Sequence, residues 1–446
     1  MQESQNFKLK YLIVQQNLVQ SSNLKKSGIL FKYQVTHYLI LEFIVQPVLA
    51  MPRIVILHPD LGIGGAERLM IDMALALIGK KYEVIIYTSH HDTGHCFSET
   101  KDGTIQVISM FDWLPRALFG RFYAFCAFLR MIFLAIYVRL FVQADIFIAD
   151  QVSLCIPFLQ FASSKKVIFY CHYPDLLLTD RKTIIKQIYR KPLDYLEGWS
   201  TAYADKIFVN SLYTQKVAKN TFKQNINCEV LYPSINDKKF DEEIEDISFP
   251  QSCFGQASYV FLSLNRYERK KNIGLALNAM AYLKEHCEVF QECHMIIAGG
   301  YDERVPENVD HHQELKELSQ KLNIHDNVSF LKSISFSTKL SLFCSSTALL
   351  YTPSNEHFGI VPVESMYCKL PVIAVNSGGP LETIENSVTG FLCEPTPKKF
   401  GDAMLHFIQD STLKERMGNA GNARVKKMFS FDTFANKLDH VMQCLI

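Results

Sequence analysis

Two doubly wound α/β domains facing a cleft are expected from three features of this 446-residue chain. From Met51 onward, short continuous apolar runs alternate with longer stretches of helical spacing, the pattern of buried parallel strands joined by crossover helices. After a polar, acidic stretch at 236–256 the same pattern begins again. The length is long for one core and comfortable for two.

The elements follow in order. Strands are expected at 54–58, 84–87, 146–149, 167–170, 206–209 and 229–231 in the first domain. The second domain should place them at 259–264, 295–298, 328–331, 348–351 and 372–375. Right-handed crossovers put the ligand cleft at the carboxyl ends of such strands. The expected organisation is a first domain over 51–235, a linker at 236–257 and a second domain over 258–430. The last segment, 431–446, has helical spacing with no strand after it and should pack back onto the first domain. The first fifty residues are rich in Gln and Asn, and their apolar run at 38–50 is broken by Glu42. That run is late, short and interrupted for a signal or anchor, so a disordered extension or an upstream start before Met51 is expected.

Net charge is +1 and charged residues are 20% of the chain, so nothing in the charge points to a nucleic-acid binder or an acidic tail. The twelve cysteines are scattered without a C-x-x-C, the usage of a reducing compartment. Two segments bear on membranes. Residues 122–142 are almost wholly apolar and about the ~20-residue length of a span. Arg130 stands at their centre, however, between Arg121 and Arg139, and a central Arg costs about 2.5–3.5 kcal/mol. A core helix, or one lying shallowly in a membrane surface, is expected instead of a crossing. In 182–191, Lys182, Lys186 and Arg190 recur every fourth residue on one helical face. They form either a basic membrane-binding face or an ordinary solvated one.

Chemistry concentrates at strand ends. Glu356 and Glu364 stand eight residues apart in NEHFGIVPVESM. Pro362 is tolerated in a first helical turn, so the segment reads as a loop turning into a helix near Gly359. Free backbone N–H groups and the positive dipole end there suit a phosphate, and the two carboxylates suit hydroxyls. In GIGGAE, Gly64 and Gly65 let a substrate approach the backbone. Glu67 occupies the third-glycine position of a dinucleotide fingerprint, and no acid ends the second strand, which disfavours a nicotinamide enzyme. The segment NRYERKKN places Arg266 and Lys271 where fixed cations would stabilise a departing diphosphate, with Arg269 and Lys270 read as solvated. No D-x-D occurs anywhere. His172 follows a strand of the first domain, across the cleft from the glutamates. His90, His91, His95 and Cys96 read as a polar loop rather than a metal site. In SGGPLET, Gly378 and Gly379 offer a second set of backbone donors.

Taken together, HPDLGIGGAERL, CHYPDLLLT, NRYERKKN, NEHFGIVPVESM and SGGPLETI resemble the retaining nucleotide-sugar glycosyltransferases of the two-Rossmann GT-B fold marked by E-x7-E. The resemblance covers about residues 51–446. Within the family it runs to mannosyltransferases that build the lipid-linked oligosaccharide for N-glycosylation. It implies an acceptor-side first domain and a nucleotide-sugar-binding second domain. Glu364 would hold the ribose, and Glu356 the donor sugar. His357, Phe358 and Gly359 would meet sugar and phosphate, and Arg266 and Lys271 the departing diphosphate. His172, Gly64 and Gly65 would lie near donor and acceptor. The implied donor is GDP-mannose, and the implied acceptor a dolichyl-diphosphate chitobiose bearing one mannose. α-1,3 and then α-1,6 transfer would occur with retention and without a metal cofactor, on the cytosolic face of the endoplasmic reticulum. The membrane surface and other glycosyltransferases of the same pathway are the implied partners. Another GT-B enzyme using a UDP-sugar and a non-catalytic membrane scaffold remain open on the residues alone.

Overall fold

The structure, a computed structural model, describes residues 51–118, 122–161, 164–179, 183–222, 226–245 and 257–446. The extension at 1–50, Arg121, Lys182 and the 246–256 part of the expected linker lie outside them. Two wholly parallel sheets form the frame. The first has the order β3-β2-β1-β4-β5-β6-β7, built from Arg53–His58, Glu83–Thr88, Gln106–Ser109, Ile146–Asp150, Lys166–Cys171, Lys206–Val209 and Cys228–Val230 as β1 to β7. The second has the order β10-β9-β8-β11-β12-β13. Its strands β8 to β13 are Tyr259–Leu264, Cys293–Gly299, Val328–Lys332, Ala348–Tyr351, Val372–Val375 and Gly390–Cys393. The edge strands β3 and β13 were not anticipated from the sequence. Both are four residues long, and each is only partly buried, so neither shows the continuous apolar run of a central strand.

Strand alternation explains why both faces of each sheet need cover. In β1, Val55 and Leu57 join one buried cluster, and Ile54 and Ile56 join another on the opposite face. In β8, Phe261 faces one cluster, and Val260, Leu262 and Leu264 the other. The helix Phe431–Leu445 is the last element of the chain, yet it packs on the helix Gly65–Gly79. Its Phe434, Leu438, Val441 and Met442 are buried beside Leu69, Met70 and Met73 of that helix. The acidic stretch opens with a helix, Asp237–Glu245, in place of a plain linker. Phe240 on that helix is buried with Phe336 and Tyr367, and the Tyr367 hydroxyl donates to Asp241 Oδ1 at 2.7 Å.

The apolar segment forms the helix Tyr123–Phe141, long and apolar enough to cross a membrane by length and composition alone. Its Cys126, Phe128, Met131, Leu134, Ala135 and Val138 are buried in the first sheet's core. Arg130 is buried too, its guanidinium donating to the Ser89 carbonyl at 2.5 Å and to Asp112 at 3.2 Å. The central Arg is therefore held by protein acceptors. The opposite face, Phe125, Leu129, Phe133, Ile136 and Leu140, is exposed.

The three-cation basic face needs correction. Arg190 lies on the helix Ile184–Thr201 but is 2% exposed, paired with Asp175 at 2.6 Å and Asp194 at 3.2 Å. Those carboxylates draw it inward, and Lys186 remains exposed beside the exposed Ile184 and Ile188.

Candidate active site

The strand order reverses between β1 and β4 in one sheet and between β8 and β11 in the other. Loops leaving these strands' carboxyl ends line one cleft, enclosing a cavity of about 660 Å³. Gly65, His172, Arg266, Lys271, Glu356, His357, Phe358, Gly359 and Glu364 all line it. Gly64, Gly378 and Gly379 do not.

Lys271 ends the short turn Arg269–Lys271 after β8, and the following Asn272 turns the chain in the left-handed region at φ 49°. The Lys271 carbonyl accepts from Thr352 Oγ1 at 2.8 Å, which ties this turn to the loop after β11. Its ammonium donates to Glu356 Oε2 at 2.5 Å, with both side chains largely buried. Burial alone would raise the Glu356 carboxyl's pKa, but the Lys271 ammonium beside it holds it below the usual carboxylate range. Gly359 caps the helix Ile360–Tyr367 at φ 83°, where a Cβ would also press the buried Tyr351 ring at 3.2 Å. One turn into that helix, Glu364 accepts from Lys339 Nζ at 2.8 Å. Lys339, on the helix Phe336–Ser345, went unnoticed in the sequence because its partner is 25 residues away. Arg266 is exposed and pairs with Glu268 at 3.0 Å, while Arg269 and Lys270 pair with Glu314 and Glu268.

Gly378 and Gly379 serve differently from the backbone-donor role read in the sequence. The Gly379 N–H is spent on the Glu356 carbonyl at 2.7 Å. A Cβ on Gly379 would meet the Phe358 carbonyl oxygen at 2.1 Å, and one on Gly378 the Glu356 oxygen at 2.4 Å. These glycines let two backbones close against each other and so hold the Glu356 loop. Gly64 differs, since only a movable side chain lies near it. A Cβ there would meet the Glu67 carboxylate at 2.2 Å, whereas one on Gly65 would enter open space.

Contacts also cross the cleft. The His357 ring stacks on Tyr173 with centroids 3.7 Å apart and planes 6° from parallel. Ser211 Oγ donates to the His357 carbonyl at 2.5 Å. Glu382 accepts the backbone N–H groups of Leu212 and Tyr213 at 2.8 and 3.0 Å, at the start of the helix Leu212–Thr221, and the Tyr232 hydroxyl at 3.0 Å. An anion at a helix N-terminus satisfies donors that have no partner within the helix. Glu382→Ala leaves those donors unpaired. It should lower kcat/KM roughly tenfold, the cost of about one strong hydrogen bond across the cleft. Steady-state kinetics will check this; an unchanged kcat/KM would show that the Glu382 contacts across the cleft do not support turnover.

His172 accompanies two side chains that the sequence did not single out. His58 and Asp150 end β1 and β4, and His172 follows β5. His58 Nδ1 lies 2.8 Å from Asp150 Oδ1, and His172 Nε2 lies 3.0 Å from Asp150 Oδ2. Burial alone would lower the His58 pKa, but the Asp150 carboxylate raises it to about 10. On the same wall Arg68 binds Asp72 and, at 2.7 Å, Glu99, with the guanidinium 5.3 Å from the Phe97 ring centroid.

Two parallel α/β halves whose strand ends bring paired carboxylates and cations to one cleft define a glycosyltransferase of the GT-B fold. Residues 63–239 match the Glycosyltransferase Family 4 domain and residues 245–424 the Glycosyl transferases group 1 domain. Sucrose-phosphate synthase from Thermosynechococcus elongatus superposes with a TM-score of 0.71 at 17% identity, over 88% of this chain and 99% of that one. Anabaena HepE in complex with UDP-glucose gives 0.65 at 18%, over 88% and 100%. Curated sequences are much nearer. The alpha-1,3/1,6-mannosyltransferase ALG2 of Homo sapiens is 50% identical over 400 residues, spanning 87% of this chain and 94% of that one. The enzyme of the same name from Schizosaccharomyces pombe is 39% identical, over 87% and 80%. The chain belongs to the ALG2 family of alpha-1,3/1,6-mannosyltransferases.

Proposed function

We propose that the cleft transfers mannose from GDP-mannose to a dolichyl-diphosphate chitobiose bearing one mannose, adding an α-1,3 and then an α-1,6 residue with retention. The observation that carries the reading is the pairing of Lys271 with Glu356 and of Lys339 with Glu364 in one cavity of an ALG2-family chain. When the sugar–phosphate bond breaks, negative charge grows on the leaving oxygen. Lys271, and Arg266 on the same loop, then supply fixed positive charge where a metal would otherwise act. Glu356 accepts hydroxyls of the donor sugar, and Glu364 those of the ribose. The acceptor hydroxyl attacks on the face that the phosphate leaves, through an oxocarbenium-like state, and the departing phosphate takes its proton. No metal takes part in this scheme. Titration calorimetry with GDP-mannose, GDP, UDP-glucose and UDP tests the donor. Binding of the guanosine ligands alone is expected, and preference for a UDP-sugar would overturn the donor while leaving the fold.

The exposed residues Phe125, Leu129, Phe133, Ile136 and Leu140 recur every three or four positions and form one apolar stripe. In this reading the stripe lies in the cytosolic leaflet of the endoplasmic reticulum and brings the cleft to its lipid acceptor, near the other glycosyltransferases of the pathway. Each apolar side chain buried in lipid contributes about 1.5–3 kcal/mol. Leu129→Glu with Phe133→Glu should therefore cut co-sedimentation with phosphatidylcholine/phosphatidylserine vesicles by at least roughly tenfold without changing the melting temperature. Unchanged co-sedimentation would sink the docking face.

A further inference from the structure

Three adjacent strands, β1, β4 and β5, deliver His58, Asp150 and His172 to one point at the switch in strand order. His58 and Asp150 are 0% exposed, and His172 lines the donor cavity. The hydrogen bonding determines where the protons are. His58 Nδ1 faces the Asp150 carboxylate at 2.8 Å, and its Nε2 faces the Asp60 carbonyl at 3.0 Å. Neither partner has a proton to donate in that form, so both ring nitrogens of His58 carry one and the ring is a buried imidazolium. Glu67 Oε1, 3.8 Å from Nε2, adds a second negative charge on that side. The carboxylate of Asp150 is thus charge-balanced by His58, yet its second oxygen still accepts from His172 Nε2. Among the described residues Nδ1 of His172 has no hydrogen-bond partner. The Asn210 amide donates to the His172 carbonyl at 2.9 Å and holds the backbone beside it. A buried ion pair is weak evidence for stability, since desolvation offsets most of the attraction, so another role for the pair deserves a test.

We propose that Asp150 and His58 are positioning residues that fix His172 as its Nε2–H tautomer, leaving a bare Nδ1 to accept a hydrogen bond from a sugar hydroxyl in the cleft. The division of labour follows from the charges. Without His58, the Asp150 carboxylate would have to be balanced by a proton on His172, and the acceptor would be lost. Without Asp150, nothing fixes which nitrogen of His172 faces the sugar. The hydroxyl belongs to donor or acceptor of the reaction proposed above, and in that respect the inference rests on it.

The proton arrangement can be read in the wild-type full chain without any substrate. In protein labelled with 15N-histidine, His58 should show two protonated ring nitrogens at neutral pH. His172 should show a protonated Nε2 and a bare Nδ1, the two residues being assigned with His58→Gln and His172→Gln. A bare nitrogen on His58, or a proton on His172 Nδ1, would overturn the proposal. Asp150→Asn supplies the second arm. Its kcat should fall roughly 10- to 100-fold, as when a group orienting a functional histidine is lost. Binding of GDP, which lacks the sugar, should stay near wild type, and the fixed His172 tautomer should disappear from the spectrum. An Asp150→Asn protein that binds GDP and turns over at the wild-type rate would refute the positioning role. If that variant does not fold, the wild-type spectrum alone decides. Failure of the donor reading has a different signature, with no turnover of GDP-mannose by wild type while the histidine spectrum is as described.

Discussion

Lys271→Ala lowers kcat by about 10²–10³-fold, the loss typical when one preorganised group facing a developing oxyanion is removed. The argument rests on how firmly the ammonium is placed. Its turn closes through the Lys271 N–H to the Glu268 carbonyl at 2.9 Å, and its own carbonyl is held by Thr352. The side chain is largely buried, so the charge acts in a medium of lower effective dielectric than water. Under the proposed function its carboxylate partner, Glu356, binds the donor sugar, and the ammonium turns from that carboxylate toward the donor's phosphate. The substitution also removes the cation that holds the Glu356 carboxyl below its usual range, so Glu356 should take up a proton at higher pH. Single-turnover rates and a melting curve on the same preparation separate the two effects. A melting temperature that falls while the rate stays near wild type would make Lys271 a structural counter-ion only.

Gly379→Ala is the second large effect, and it acts through backbone alone. Gly379 has an ordinary helical φ of −57°, so conformational strain is not the issue. The added Cβ would sit 2.1, 2.4 and 2.5 Å from the carbonyl oxygen, Cα and carbonyl carbon of Phe358, none of which can rotate away. The loop carrying Glu356, His357 and Phe358 must move, breaking the Gly379 N–H bond to the Glu356 carbonyl. Overpacking of this kind costs about 1–3 kcal/mol, and the shift displaces Glu356 from Lys271. Both a lower denaturation midpoint and a loss of turnover are expected. Gly65→Ala is the contrast, since its Cβ meets nothing within 4 Å and stability should not change. Equal destabilisation by the two substitutions would mean that the Gly379 contact is not what holds the loop.

These residues also mark what was legible in the sequence. Central strands such as Ile146–Asp150 and Ala348–Tyr351 are buried on both faces and could be read from composition. Gln106–Ser109 could not, because as a half-exposed edge it carries only two apolar residues. The helix starting after Gly359 was legible because Pro362 restricts where a first turn can lie. Charge partners across long separations were hidden. Asp150 and His58 meet across 92 residues, and nothing local marks either as polar core. Arg190 looked like one member of a surface stripe at helical spacing. Its burial depends on Asp175, brought in by a different turn of chain.

The central claim is best tested by single-turnover transfer from GDP-mannose to a short-chain lipid diphosphate carrying Man-GlcNAc2, with a chelator present and the full chain as enzyme. Two mannoses added in sequence, linked α-1,3 and α-1,6, are expected. No transfer from GDP-mannose, with turnover of a UDP-sugar under the same conditions, would contradict the account.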